Sequence, residues 1–153
     1  MKDPSTRRTA LKVGGSALCG VFAGCTGFRE SRQPVRIDYP KVRNYTEQAL
    51  DVDIHVLNEG ETVYWKRVQA TAAEREARRL GGASLEGFPE EAGKYVIYAQ
   101  LPFVEQDGID RKDLAVLASR HSVDCIVVSL TIDMWQTDGV EHPMLGIAHA
   151  INC

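Results

Sequence analysis

The chain has 153 residues, room for one domain and little else. Its formal net charge of −3 mixes two regions of opposite character: residues 1–24 set Lys2, Arg7, Arg8 and Lys12 against Asp3, while the remainder carries 14 basic and 20 acidic groups, a balance of −6. A surface of that sign repels nucleic acid and anionic head groups, so nucleic acid is excluded as a partner class.

The N-terminal segment comes first. Residues 5–12 read Ser-Thr-Arg-Arg-Thr-Ala-Leu-Lys. This resembles the twin-arginine export signal, with Ala10 where the pattern prefers a bulkier apolar residue. Val13 to Gly24 is small and apolar, but twelve residues fall short of the roughly 20 that span a bilayer. The stretch fits the apolar region of a removable signal instead. Phe22-Ala23-Gly24-Cys25 then resembles a lipobox, in which small residues precede a Cys that receives a thioether-linked lipid. Phe22 departs from the usual Leu, and Cys19 is a poor rival because Leu18 stands where a small residue is required. The resemblance implies export of the folded chain by the twin-arginine translocase, read through Arg7 and Arg8, and a lipid anchor on Cys25. The chain would then sit extracytoplasmically, at the outer face of the cytoplasmic membrane. On this reading 1–24 is the lipoprotein signal peptide, 25–34 a polar tether and 35–153 the domain.

The domain's signals are mostly those of strands. Val35 to Tyr39 and Asp51 to Val56 alternate apolar and polar residues, as half-buried strands do. Asn58-Glu59-Gly60 supplies a three-residue turn, and Glu61 to Val68 returns as the hairpin partner with Tyr64 and Trp65 on opposite faces. Ala70 to Leu80 is composed of helix formers, with Gly81 as the stop and Glu74 spaced to pair with Arg78. Lys94 to Leu101 reads as a strand, and Phe103 to Lys112 as a polar loop. Asp113 to Ser119 fits a short helix or a strand equally. Cys125 to Asp133 is the strongest strand, with Ile126, Val128, Leu130 and Ile132 on one face. After a turn at Thr137-Asp138-Gly139, Met144 to Cys153 returns. Six or seven strands with one short helix make the fold mainly β, a two-sheet antiparallel β-sandwich.

Cysteine placement adds a covalent expectation. An exported domain meets an oxidising compartment, where Cys125 and Cys153 can pair. If the last hairpin is centred on Gly139, cross-strand partners sum to 278, which sets Cys125 opposite Cys153 and Val127 beside Ile151. Opposed residues in an antiparallel pair lie within disulfide reach.

The signal, the hairpin Val-Asp-Ile-His-Val…Gly-Glu-Thr-Val-Tyr-Trp and the final Cys-bearing hairpin together resemble a group of small haloarchaeal surface lipoproteins. That resemblance implies an immunoglobulin-like sandwich of unassigned role. A blue-copper site, the sharpest chemical alternative, needs Cys, His and Met on one short loop. Here His142 and Met144 lie 17 and 19 residues beyond Cys125, so the pattern fails. His55, His121, His142 and His149 show no metal-ligand spacing, and nucleophile-elbow, phosphate-loop and dinucleotide motifs are all missing. No catalytic residue, metal or cofactor is therefore assigned. The reading is a non-catalytic, membrane-anchored module that contacts an envelope partner. A binding protein for a small solute or metal is the alternative, with an enzyme behind both.

Overall fold

The computed structural model describes residues 31–102, 109–151 and 153. Two four-stranded sheets face each other as a β-sandwich. In chain order the elements are β1 (Arg36–Asn44), β2 (Leu50–Asn58), β3 (Glu61–Ala70), β4 (Gly81–Ser84), β5 (Tyr95–Gln100), β6 (Asp110–Asp113), α1 (Leu114–His121), β7 (Cys125–Thr137) and β8 (Val140–Ala150). One sheet has the order β4-β1-β7-β8 and the other β3-β2-β5-β6. Pairing is antiparallel throughout the described strands except between β1 and β7.

Alternation decides which side chains fill the space between the sheets. Val52, Ile54 and Val56 of β2 and Ile97 of β5 meet Ile126, Val128, Leu130 and Ile132 of β7 in one core. All eight are fully buried, and side chains of this size each gain about 1.5–3 kcal/mol by leaving water. Pro40 sits inside β1 without costing a ladder bond. The pairing with β7 shifts between Asp38 and Lys41, and Tyr39 takes φ +48° there. The proline thus occupies a bulge, where its missing N–H is not needed.

Asp113 to Ser119 resolves as helix. Asp113 caps it by accepting a bond from the Val116 N–H at 3.2 Å, and Leu114 and Ala118 bury one face against the core. The helix expected over 70–80 does not form. β3 runs on to Ala70, and the chain reverses through an isolated bridge between Glu74 and Arg79, with Arg78 at φ +52°. The Glu74 carboxylate accordingly pairs with Arg79 rather than Arg78. Composition favoured a helix, but eleven residues are too few to hold one unaided. Glu74 to Leu80 is exposed throughout and offers no apolar face to bury. Backbone bonds from Thr71 to Gly82 and from Ala73 to Thr46, at 3.0 and 2.7 Å, tie its ends into strand pairing instead. Gly81 acts there as a point of close approach, since a Cβ would overlap the Thr71 carbonyl.

Two strands, β4 and β6, went unread in the sequence; each has four residues, too few for alternation to register. The last hairpin also turns differently from the expectation. Thr137 pairs with Val140, so partners sum to 277 and the loop is the two residues Asp138-Gly139, at φ +53° and +80°. A two-residue turn with both φ positive matches the right-handed strand twist better than a three-residue one. Val127 therefore faces Ala150, not Ile151. Cys125 and Cys153 are nevertheless joined by a disulfide, their Cα atoms 6.0 Å apart. β8 ends at Ala150 and the chain bends at Ile151, so Cys153 reaches Cys125 from outside the ladder and the register no longer forbids the bond.

Candidate functional site

β2 sends Val52, Ile54 and Val56 inward, so Asp53, His55 and Leu57 point away from the core. The same alternation turns Tyr98 and Gln100 of β5 outward. On β3, Tyr64 is buried against Phe88 with ring centroids 5.0 Å apart, while Trp65 is 77% exposed. Strand register then aligns these side chains in rows. Trp65 stands opposite His55, His55 opposite Tyr98, and Tyr98 opposite Arg111, a row that crosses all four strands of the sheet. In the neighbouring row Arg67, Asp53 and Gln100 stand side by side. Residues so opposed interact directly across a sheet.

The contacts within the rows are specific. Arg67 grips Asp53 with a two-pronged pair, Nε and one terminal nitrogen each donating at 2.7 Å. That bond holds the Asp53 carboxyl below its ordinary range, and a hydrogen bond from Gln100 works in the same direction. His55 Nε2 and Thr62 Oγ1 lie 2.7 Å apart, and the His55 and Tyr98 rings tilt together at 6.2 Å. Arg111 donates to the Tyr98 hydroxyl at 3.1 Å while its guanidinium lies 5.8 Å from the ring centroid. The bond to Tyr98 raises the Arg111 pKa further. Asp113 approaches the same guanidinium at 3.6 Å.

A bulge completes the set. Register shifts between Val56 and Leu57, so that Val63 is the extra residue and Thr62 pairs with Leu57. Without it Thr62 and Trp65 would face opposite ways; with it both line the outer face. Asp53, His55, Thr62, Trp65, Tyr98 and Gln100, with Leu57, Ala99 and the 57%-exposed Ile109, surround an open groove of about 540 Å³. That is within the usual range of small-molecule sites, about 300–1,000 Å³.

The chain matches no family model, no curated protein and no solved structure.

The residues singled out from the sequence are not the groove. Arg7, Arg8 and Cys25 lie outside the described residues. Cys125 belongs to the opposite sheet, and Cys153 lies bonded to it beyond the end of β8. With Asp38 they form the one cluster of potential metal ligands among the described residues, but both sulfurs are spent on each other. Of the four His residues only His55 lines the groove. His142 faces Trp135 across β7 and β8. Burial lowers the pKa of His149, with Lys112 and His121 adding to the effect. Tyr98, Arg111, Asp53 and Arg67 were missed as site residues. Alternation could have placed Asp53 and His55 on one face and Tyr98 and Gln100 on another, but nothing local says that β2 lies beside β5.

Proposed function

We propose that this chain is a non-catalytic lipoprotein, exported by the twin-arginine translocase and held by a lipid on Cys25 at the outer face of the cytoplasmic membrane, where the outer face of the β3-β2-β5-β6 sheet engages another component of the envelope. The observation that carries the recognition surface is the row Trp65–His55–Tyr98–Arg111. A large aromatic left 77% exposed on a sheet otherwise well packed, beside oriented polar groups, has the composition of a binding patch. The groove's carboxylate supports a non-catalytic role. Arg67 keeps Asp53 ionised, which suits a fixed hydrogen-bond acceptor, whereas proton transfer wants a group that titrates near working pH.

Location and surface are tested together. Replacing Arg7 and Arg8 with Lys keeps the protein inside the cell, because Lys lacks the planar fork of the guanidinium. Cys25→Ser releases the exported domain into the medium, since a dual-chain lipid is what holds such an anchor. A photo-crosslinking residue at Ile109, exposed on the groove's lining, captures an envelope component in intact cells, while one at Tyr39, 76% exposed on the other sheet, does not. Undiminished export of the Lys variant, membrane retention of the Ser variant, or equal capture at both positions defeats the corresponding part.

A further inference from the structure

We infer that the groove binds an uncharged carbohydrate, a short neutral oligosaccharide segment laid against Trp65 with its hydroxyls turned toward Asp53 and Gln100. This rests on the reading of the same face as the recognition surface and names what that face recognises.

The first argument is the aromatic. A pyranose ring presents a flat face of C–H groups carrying slight positive charge, and an indole presents a flat face of negative charge. Trp65 offers such a face to solvent, 77% exposed. Oriented polar groups lie one row away. Asp53 accepts two bonds from Arg67, but an ionised carboxylate has about four acceptor positions, so sugar hydroxyls can donate to the others. Gln100, Thr62, His55 and Tyr98 add donors and acceptors along the groove wall. These groups hold one another in place before any ligand arrives: Arg67 fixes Asp53, Thr62 is bonded to His55, and Arg111 to Tyr98. Little ordering cost is left for binding.

The second argument is charge. Asp53 is gripped by Arg67, and Asp113 is shared between Arg32 at 2.6 Å and Arg111 at 3.6 Å. In the groove itself an anionic ligand would have to take Arg67 from Asp53 and leave that carboxylate uncompensated, and a cation would face the converse. The balance of −6 over residues 25–153 opposes phosphate-bearing ligands further. An uncharged polar ligand meets no such penalty. Shape agrees, for a groove of about 540 Å³ that is open along the sheet accepts a segment of a chain.

The test uses the anchored protein purified in a zwitterionic detergent. It is titrated by calorimetry with hexasaccharides of glucose, mannose, galactose and N-acetylglucosamine, with uronic-acid hexasaccharides, and with uncharged hexapeptides. We expect at least one neutral hexasaccharide to bind. Trp65→Ala should weaken that binding about tenfold to a hundredfold, the scale of one stacked ring. Trp65→Phe should recover part of it, and Trp135→Ala should leave it unchanged. Because Trp65 is exposed, its variants keep the fold, and circular dichroism confirms that in the same samples. Preference for the acidic sugars, binding of peptides alone, neutral-sugar binding that survives Trp65→Ala, or no binding at all overturns the carbohydrate assignment. Capture at Ile109 then separates the two levels: a partner caught there leaves the recognition face standing without its sugar, and none caught removes both.

Discussion

The two hairpins that carry tryptophan, β2–β3 and β7–β8, start from the same parts. Each turns through two residues ending in glycine, Glu59-Gly60 and Asp138-Gly139, with positive φ at both positions. Each sets an outward tryptophan opposite a histidine, Trp65 with His55 and Trp135 with His142, and leaves the indole exposed, at 77% and 59%. The difference is what lies beside them. β5 and β6 extend the first pair into a row with Tyr98 and Arg111. β1 pairs with β7 only as far as Ile132, so among the described residues the second hairpin is a bare two-stranded ribbon from Asp133 to Met144, an arrangement of marginal stability by itself. An aromatic on a strand becomes a site only where neighbouring strands bring polar groups to its side. Trp65 has that neighbourhood; among the described residues, Trp135 has only its partner strand.

Three experiments press on this contrast. The largest effect belongs to the disulfide, which closes a 28-residue separation and fastens the base of the β7–β8 hairpin. Replacing Cys125 and Cys153 with Ala should cost about 3–4 kcal/mol in the chain-entropy model, measured by urea unfolding. Amide exchange in β8 should rise well before exchange in β2 and β3. Thiol titration of the denatured, unreduced protein should find neither Cys125 nor Cys153 reactive; two reactive thiols there would remove the staple from the account.

A smaller effect belongs to the row beside Trp65. Arg67→Ala should lower stability only slightly at neutral pH, as expected for an exposed ion pair. The pH dependence has a definite sign. Arg67 holds the Asp53 carboxyl below its ordinary value of 3.8. A carboxyl whose folded pKa is depressed contributes stability that is present above its unfolded pKa and lost as pH falls through the folded one. The wild type's advantage over Arg67→Ala should therefore hold at neutral pH and shrink below about pH 4. An advantage that grew on acidification would contradict the assigned pair.

The smallest effect is on the tryptophans themselves. Trp65→Ser and Trp135→Ser should each change the unfolding free energy by no more than about 0.5 kcal/mol, because neither ring is buried. If Trp135→Ser proved strongly destabilising, that indole would be packing against something, and the contrast between a furnished hairpin and a bare one would fail.

What the sequence determined is whatever repeats over short distances. The alternation of Asp51 to Val56 and of Cys125 to Asp133 placed β2 and β7 and named their inward faces, and Gly60 and Gly139 marked both turns, because side-chain period and positive φ are local properties. The opposed faces of Tyr64 and Trp65 were legible for the same reason. Tertiary structure decided the rest. Helix-forming composition over 70–80 yielded to backbone pairing with β4 and with the loop at Thr46, since a short segment with no face to bury gains more from strand bonds than from propensity. The Cys125–Cys153 bond survived a one-residue register change because the chain leaves the ladder at Ile151. The groove was hidden for the plainest reason. Its row joins residues 65, 55, 98 and 111, and only packing of the two sheets sets β5 against β2 and a four-residue β6 against β5, so that distant residues share one face.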